Sequence, residues 1–292
     1  MAEAELAAPP RRRSVQCASP KGLHRMAYLE WGDARNRDVL VCVHGLTRTS
    51  RDFDELARAL CGRFRVVCPD VAGRGDSEPL ADPTLYAVPQ YTADMVTLIA
   101  RLDVDSVSWV GTSMGGLIGM ALAAQAGTPV KRMVLNDVGP VITKASLERI
   151  SSYTGKAPTF ASVEEAERYI RTVSAPFGQH SDAQWRFLTE TWLRRNDDGT
   201  WRAHYDPRIG DALVVPEKDL ELWSVYDAVR CPTLLVRGEL SDLLTRGTAA
   251  EMANRGPLAK VAEIRGVGHA PTLMQPDQIA LVRDFLYQGV SS

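Results

Sequence analysis

The sequence is poor in cysteine, in long apolar runs and in net charge. Its five cysteines, Cys17, Cys42, Cys61, Cys68 and Cys231, are odd in number, scattered and never in a C-x-x-C pair. That pattern excludes a disulfide framework and a thiol redox motif, and reads as free thiols, several of them buried, in a reducing compartment. No apolar run is long enough to span a bilayer and no apolar signal core stands near the N-terminus, so no membrane partner is expected and the location read from the sequence is cytoplasmic. Lys and Arg number 34 against 36 Asp and Glu, a net charge of −2, which gives no reason to expect nucleic acid as a partner. No histidine and carboxylate group has a recognised metal-ligand spacing, and neither a metal nor a cofactor is expected. Repeats and low-complexity segments are not evident.

What remains is ordinary globular composition, 45% hydrophobic and 24% charged over 292 residues, a length that suits one α/β core carrying an insertion. The chain is organised around residues 107–124, VSWVGTSMGGLIGMALAA. Val107, Trp109 and Val110 form a β-prone run ending at Gly111, and a Leu-, Ile-, Met- and Ala-rich helical segment opens at Gly116. Between them stands Gly111-Thr112-Ser113-Met114-Gly115, a G-x-S-x-G pattern with a strand before it and a helix after it. A strand that reverses into a helix so tightly crowds its own backbone, which is why glycines flank the bend. Ser113 is thereby placed at the tip, beside the first helix amides, as a candidate nucleophile.

Along the chain, residues 1–20, with Arg11-Arg12-Arg13, read as a mobile arm. Residues 21–31 read as one or two antiparallel edge strands, and Val39 to Val43 as a strand covered on both faces, ending at His44-Gly45-Leu46-Thr47-Arg48. Helical spacing of Phe53, Leu56, Ala57 and Leu60, a strand at 64–68, a loop from Asp70 to Ser77 and a helix over 91–102 follow. After the strand at 133–136 the strand and helix rhythm stops. Residues 141–226 are rich in aromatic and charged residues with helical periodicity, and read as an insertion over the ligand end of the sheet. The sheet resumes at 233–238, with a helix over 245–254, a strand over 258–264, the loop Gly266-Val267-Gly268-His269 and a closing helix over 276–287. This alternation implies a mostly parallel sheet with helices on both faces.

A serine hydroxyl needs a base oriented by a carboxylate. Of five histidines, His269 sits in a glycine-bounded loop late in the chain with no packing reason to be there, and is the expected base. His180 and His204 lie in the insertion and read as solvated. Asp242, past the strand ending at Gly238, is the expected acid, with Glu239 and Asp137 as rivals; the order Ser113, Asp242, His269 agrees with the order that accompanies the elbow motif.

From about residue 21 to the C-terminus these motifs together resemble the α/β-hydrolase superfamily. The elbow, the His-Gly after an early strand, the D-x-x-G-x-G-x-S loop at Asp70 to Ser77 and the G-x-G-H loop stand in its order. The resemblance implies an eight-stranded sheet in a core of residues 21–140 and 227–292, with a helical cap over 141–226. It also implies an oxyanion hole from the amides of Leu46 and Met114. His44 and Arg48 are candidate substrate contacts, His44 bracing its loop and Arg48 either paired with a loop acid or clamping a substrate carboxylate or ester oxygen. The Leu-Thr-Arg after His-Gly departs from the Pro and Gly of epoxide hydrolases and dehalogenases, whose nucleophile is moreover an aspartate. The expected activity is cofactor-independent cleavage of a small ester, thioester or lactone through an acyl-enzyme. Alternatives are carbon-carbon bond hydrolysis of ring-cleavage products, a proline-type aminopeptidase, or, in another class, a non-catalytic binding module on the same scaffold.

Overall fold

Val39, Val41 and Val43 pack into one apolar cluster with Met95, Leu98, Trp109 and Ile118, whereas Leu40 and Cys42 between them pack into another with Leu56, Leu60, Val282 and Phe285. A strand with a core on each side has no polar face, which is why VLVCV shows no alternation. Each such side chain contributes about 1.5–3 kcal/mol on burial, so the central strands hold the two helical layers together.

The computed structural model describes residues 8–288. Arg11–Ser19 (β1) and Gly22–Trp31 (β2) form an antiparallel hairpin. Val39–Val43 (β3), Asp54–Leu60 (α1), Arg65–Pro69 (β4), Val88–Leu102 (α2), Val107–Thr112 (β5), Met114–Ala123 (α3) and Val130–Asn136 (β6) follow. The insertion holds a short strand Val141–Ile142 (β7), helices Lys144–Tyr153 (α4), Val163–Val173 (α5) and Asp182–Glu190 (α6), and a hairpin of Leu193–Arg195 (β8) with Trp201–Ala203 (β9). Leu220–Glu221 (β10) pairs back onto β7. Then come Trp223–Ala228 (α7), Thr233–Gly238 (β11), Arg246–Met252 (α8), Lys260–Ile264 (β12) and Pro276–Tyr287 (α9).

Eight strands form one sheet in the order β1-β2-β4-β3-β5-β6-β11-β12. From β4 to β12 all neighbours are parallel, and β1 and β2 join antiparallel at one edge. The chain steps from β3 to β4 on one side and then crosses to β5 on the other, so strand order reverses between β3 and β5. A crevice outside the carboxyl ends of the strands opens at such a reversal, and the loops leaving β3 and β5 are those that carry Gly45 and Ser113.

Two expectations change. Of the arm expected over residues 1–20, residues 1–7 lie outside the described residues, while Arg11–Ser19 is an edge strand with Val15 and Cys17 buried on α2. Its alternation of buried and exposed positions was obscured by the leading arginines, of which Arg11 pairs with buried Glu30 of β2 at 3.0 Å. The insertion, expected to be helical, also contains two small strand pairs. Its expected end at 226 cuts through α7, where Tyr226 is fully buried and its hydroxyl donates to the Met252 carbonyl at 2.7 Å.

Candidate active site

Ser113 is the single residue between β5 and α3, with φ 51° and ψ −115°. For a residue with a Cβ this conformation costs on the order of 1–3 kcal/mol, and the surrounding backbone holds it. The Ser113 N–H donates to the Asn136 carbonyl of β6 at 3.0 Å, and the Ser113 carbonyl accepts from Gly116 and Leu117 at 2.9 and 3.1 Å. The glycine requirement is steric at two positions. A Cβ on Gly111 would lie 2.3 Å from the Gly115 carbonyl oxygen, and one on Gly115 would lie 2.0 Å from that of Val43. These are backbone atoms that cannot move aside, so the bend closes only without side chains there.

His269 lies in the loop between β12 and α9. Its Nε2 stands 2.9 Å from Ser113 Oγ, and its Nδ1 stands 2.8 Å from Asp137 Oδ2. A carboxylate only accepts, so Nδ1 carries the proton and Nε2 presents a lone pair to the serine hydroxyl. Asp137 is fully buried, and its other oxygen, Oδ1, accepts the Gly238 N–H at 2.9 Å.

The carboxylate beside His269 is therefore Asp137, and the expected assignment of Asp242 is corrected. Asp242 is 56% exposed and forms an ion pair with Arg149 of α4 at 2.8 Å. The reason lies in the register. β6 is the immediate neighbour of β5, with Thr112 opposite Asn136, so the residue after Asn136 emerges level with Ser113. Asp137 also has φ 56°, which turns its side chain under the imidazole. Past β11 the chain instead turns toward β12, the amides of Glu239 and Leu240 donating to Ile264 and Val267. Asp242 is by then outside. The rival Glu239 accepts the Gly266 N–H at 2.9 Å and so braces the His269 loop.

The two expected oxyanion amides sit on either side of the switch point. A Cβ on Gly45 would lie 3.8 Å from the Ser113 Cβ, so the chain entering Leu46 passes close to Ser113. Met114 is the first residue of α3, a position whose N–H has no intrahelical partner. Among the described residues neither the Leu46 nor the Met114 N–H donates to a protein atom.

Both candidate substrate contacts are engaged in bonds within the protein. His44 is fully buried, accepting the Val71 N–H on Nε2 at 3.0 Å and donating from Nδ1 to the Gly45 carbonyl at 2.7 Å. It ties the loop after β3 to the loop after β4. Burial lowers its pKa from 6.5 to about 3. A histidine with a depressed folded value contributes stability that is present above 6.5 and lost as pH falls toward 3, because the unfolded chain takes up the proton first. The stability advantage of the wild type over His44→Gln is expected to shrink by about 1.4 kcal/mol per pH unit across that window; urea midpoints of both proteins at several pH values measure it. Arg48 is bound to Asp52, with Nη2 2.6 Å from Oδ1 and Nε 3.0 Å from both oxygens. A further Nη2 bond of 3.3 Å reaches the Leu188 carbonyl of α6. Of the two readings of Arg48, the geometry matches the loop ion pair.

Three groups went unassigned in the sequence. Asn136 donates from Nδ2 to Thr112 Oγ1 at 2.9 Å and to the Pro271 carbonyl at 2.8 Å, linking the strand end before Ser113 to the loop after His269. The insertion grips that same loop: the Gly268 N–H donates to the Pro176 carbonyl at 2.6 Å, and His180 Nε2 lies 2.8 Å from Thr272 Oγ1. His180 and His204, expected to be solvated, are both half-buried. Arg74, the arginine of the Asp70 to Ser77 loop, is fully buried, and among the described residues its bonds go to carbonyls, a hydroxyl and a thioether with no carboxylate among them. Its Nε donates to the Leu46 carbonyl at 2.9 Å, its Nη1 to Tyr91 Oη at 2.8 Å, and its Nη2 lies 3.6 Å from Met114 Sδ. It thus touches both residues whose amides flank Ser113. Arg74→Met is expected to lower kcat by about 10²-fold with little change in KM, since a loop displaced by an ångström costs that much. Steady-state ester kinetics, with a melting curve to confirm folding, check this.

A family model described as the alpha/beta hydrolase fold matches residues 38–273. The chain is 52% identical over 289 residues to a 3-hydroxybutyrate-oligomer hydrolase of Cupriavidus necator, covering 96% of this chain and 99% of that protein. Among solved structures, a putative hydrolase from Rickettsia typhi superposes with a TM-score of 0.90 at 32% identity, covering 96% of this chain and 100% of that one. An α/β hydrolase from Novosphingobium aromaticivorans superposes with a TM-score of 0.86 at 35% identity, covering 96% and 98%. With the sheet order, the bend at Ser113 and these likenesses in agreement, the chain belongs to the α/β hydrolase fold family and is an enzyme of the hydrolase class.

Proposed function

We propose that this chain is a serine ester hydrolase acting on short oligomers of 3-hydroxybutyrate, with Ser113 as nucleophile, His269 as base and Asp137 as the orienting acid. The observation that carries the mechanism is the continuous relay from Ser113 Oγ through His269 to buried Asp137, at 2.9 and 2.8 Å. The substrate class rests on the relative from Cupriavidus necator, whose likeness extends over 96% of this chain.

In this reading Ser113 Oγ attacks the ester carbonyl while its proton passes to His269 Nε2. Asp137 stabilises the imidazolium that forms, and the amides of Leu46 and Met114 receive the negative oxygen, a contribution of about 2.7–4 kcal/mol per donor in comparable sites. Collapse of the tetrahedral intermediate breaks the C–O bond. The departing hydroxyl end of the shortened oligomer takes the proton from Nε2, leaving a 3-hydroxybutyryl ester on Ser113. Water, deprotonated by the same nitrogen, attacks that ester and releases the free acid.

The test uses the linear 3-hydroxybutyrate trimer and a fluorophosphonate probe in parallel. Release of monomer from the trimer, together with probe adduct on Ser113, is the expected result. Labelling of Ser113 without monomer release would remove the substrate assignment and leave the mechanism. Failure of the probe to label Ser113 in the folded protein would remove the mechanism and favour a non-catalytic module.

A further inference from the structure

At the sheet edge away from Ser113, three side chains of different ligand chemistry meet in a closed space. Cys17 of β1 and His24 of β2 are direct cross-strand partners, and Asp94 of α2 packs over them. They are 1%, 3% and 1% exposed, and one thiol sulfur, one ring nitrogen and one carboxylate oxygen from the three all lie within 4.8 Å of one another. His24 Nε2 stands 3.0 Å from Asp94 Oδ2. The other ring nitrogen, Nδ1, is buried with no hydrogen-bond partner among the described residues. The two ring nitrogens point apart, so Nε2, beside the carboxylate, is the ligand atom His24 offers to the three, and Nδ1 faces away from Asp94.

We propose that Cys17, His24 and Asp94 form a binding site for a thiophilic divalent cation such as Zn²⁺, which pins the β1–β2 hairpin onto α2. Thiolate, imidazole and carboxylate are the set that Zn²⁺ takes, with bonds of about 2.3, 2.0 and 2.0 Å. Tetrahedral bonds of that length hold neighbouring ligand atoms about 3.3–3.8 Å apart. The three atoms lie within 4.8 Å of one another, and the imidazole and carboxylate now share a 3.0 Å hydrogen bond, so an ion entering between them replaces that proton and draws the three to this spacing. The charges also balance, since a thiolate and a carboxylate neutralise a divalent ion and leave no net charge buried. The carboxylate already has an outer support: Gln90 Nε2 donates to Asp94 Oδ1 at 2.8 Å and to the Ala18 carbonyl at 2.9 Å. Hydrogen bonds of this kind to the outer oxygen orient a ligating carboxylate. The site is separate from the hydrolytic chemistry, and neither His24 nor Asp94 touches Ser113, Asp137 or His269 by any hydrogen bond among the described residues.

The full chain, stripped with a chelator, is titrated with Co²⁺ and then Zn²⁺. The expected result is one ion per chain, a sulfur-to-cobalt charge-transfer band displaced by Zn²⁺, and a higher melting temperature with metal. Cys17→Ser removes the band, and Asp94→Asn weakens uptake at least tenfold, while Ser113→Ala binds as the wild type does. The four other cysteines remain in Cys17→Ser and control for stray thiol binding, and a circular-dichroism melting curve shows that each variant is folded. No uptake by the stripped wild type, or an unchanged band in Cys17→Ser, overturns the proposal. If Cys17→Ser does not fold, His24→Gln takes its place, and binding equal to wild type in that variant overturns it equally.

Discussion

Asp137→Asn is expected to lower kcat by about 10⁴-fold with KM little changed, while Asp242→Asn leaves both unaltered. An asparagine fits the space of Asp137, and its carbonyl oxygen can keep the bond to the Gly238 N–H now made by Oδ1. The amide nitrogen then faces His269 Nδ1. A donor opposite Nδ1 selects the tautomer whose proton is on Nε2, so the ring can no longer accept from Ser113. The loss is thus one of proton placement, with geometry retained. Asp242 holds Arg149 in a surface pair with more than half its side chain in water, and such pairs contribute about 0–1 kcal/mol. Ester turnover of the two variants, each with a melting curve, decides between them. Loss of activity in Asp242→Asn with Asp137→Asn unaffected would reverse the assignment.

The second large effect is at Ser113. Ser113→Ala is expected to lower kcat by about 10⁶-fold. Adding Asp137→Asn to it costs little more, because a base and an acid with no hydroxyl to activate have nothing left to do. A double variant that lost the full product of the two single effects would mean that Asp137 acts independently of Ser113. The same position carries a stability signature. Alanine keeps the Cβ and therefore the strain of φ 51°, whereas glycine adopts it freely. Ser113→Gly is accordingly expected to be as inactive as Ser113→Ala but more stable by about 1 kcal/mol or more, read from urea midpoints. Equal stability of the two variants would show that the surroundings of the bend impose no strain on the serine.

Much of this was legible because it is written in local pattern. The bend at Ser113 announces itself through glycines that a backbone carbonyl 2.0 or 2.3 Å away makes obligatory. The strand Val39–Val43 is legible because two cores leave it no polar side. The closing helix Pro276–Tyr287 has the bounds its apolar spacing predicts. His269 was found because a glycine-bounded loop gives an imidazole no packing role. Less local features were misread. Asp242 looked like the acid because it follows a strand and precedes a helix, a description that Asp137 does not fit and that says nothing about which strand adjoins β5. Arg74 stood in a quoted motif, but its reach to Leu46 and Met114 crosses from one loop to two others.

The sequence by itself determined the α/β alternation, the nucleophile bend and the residues at its tip, because strand period, helix period and the steric demand of a tight reversal act over a few neighbouring positions. Only the tertiary structure decided which carboxylate stands under His269, what Arg48 and Arg74 hold, and that Cys17, His24 and Asp94 share one buried space. Apart from the Arg48 pair with Asp52 four positions away, those outcomes depend on strand order, register and loop reach, which bring together residues far apart in the chain, 28 positions for Arg74 and Leu46, 70 for His24 and Asp94 and 132 for Asp137 and His269, and no spacing along the chain encodes them.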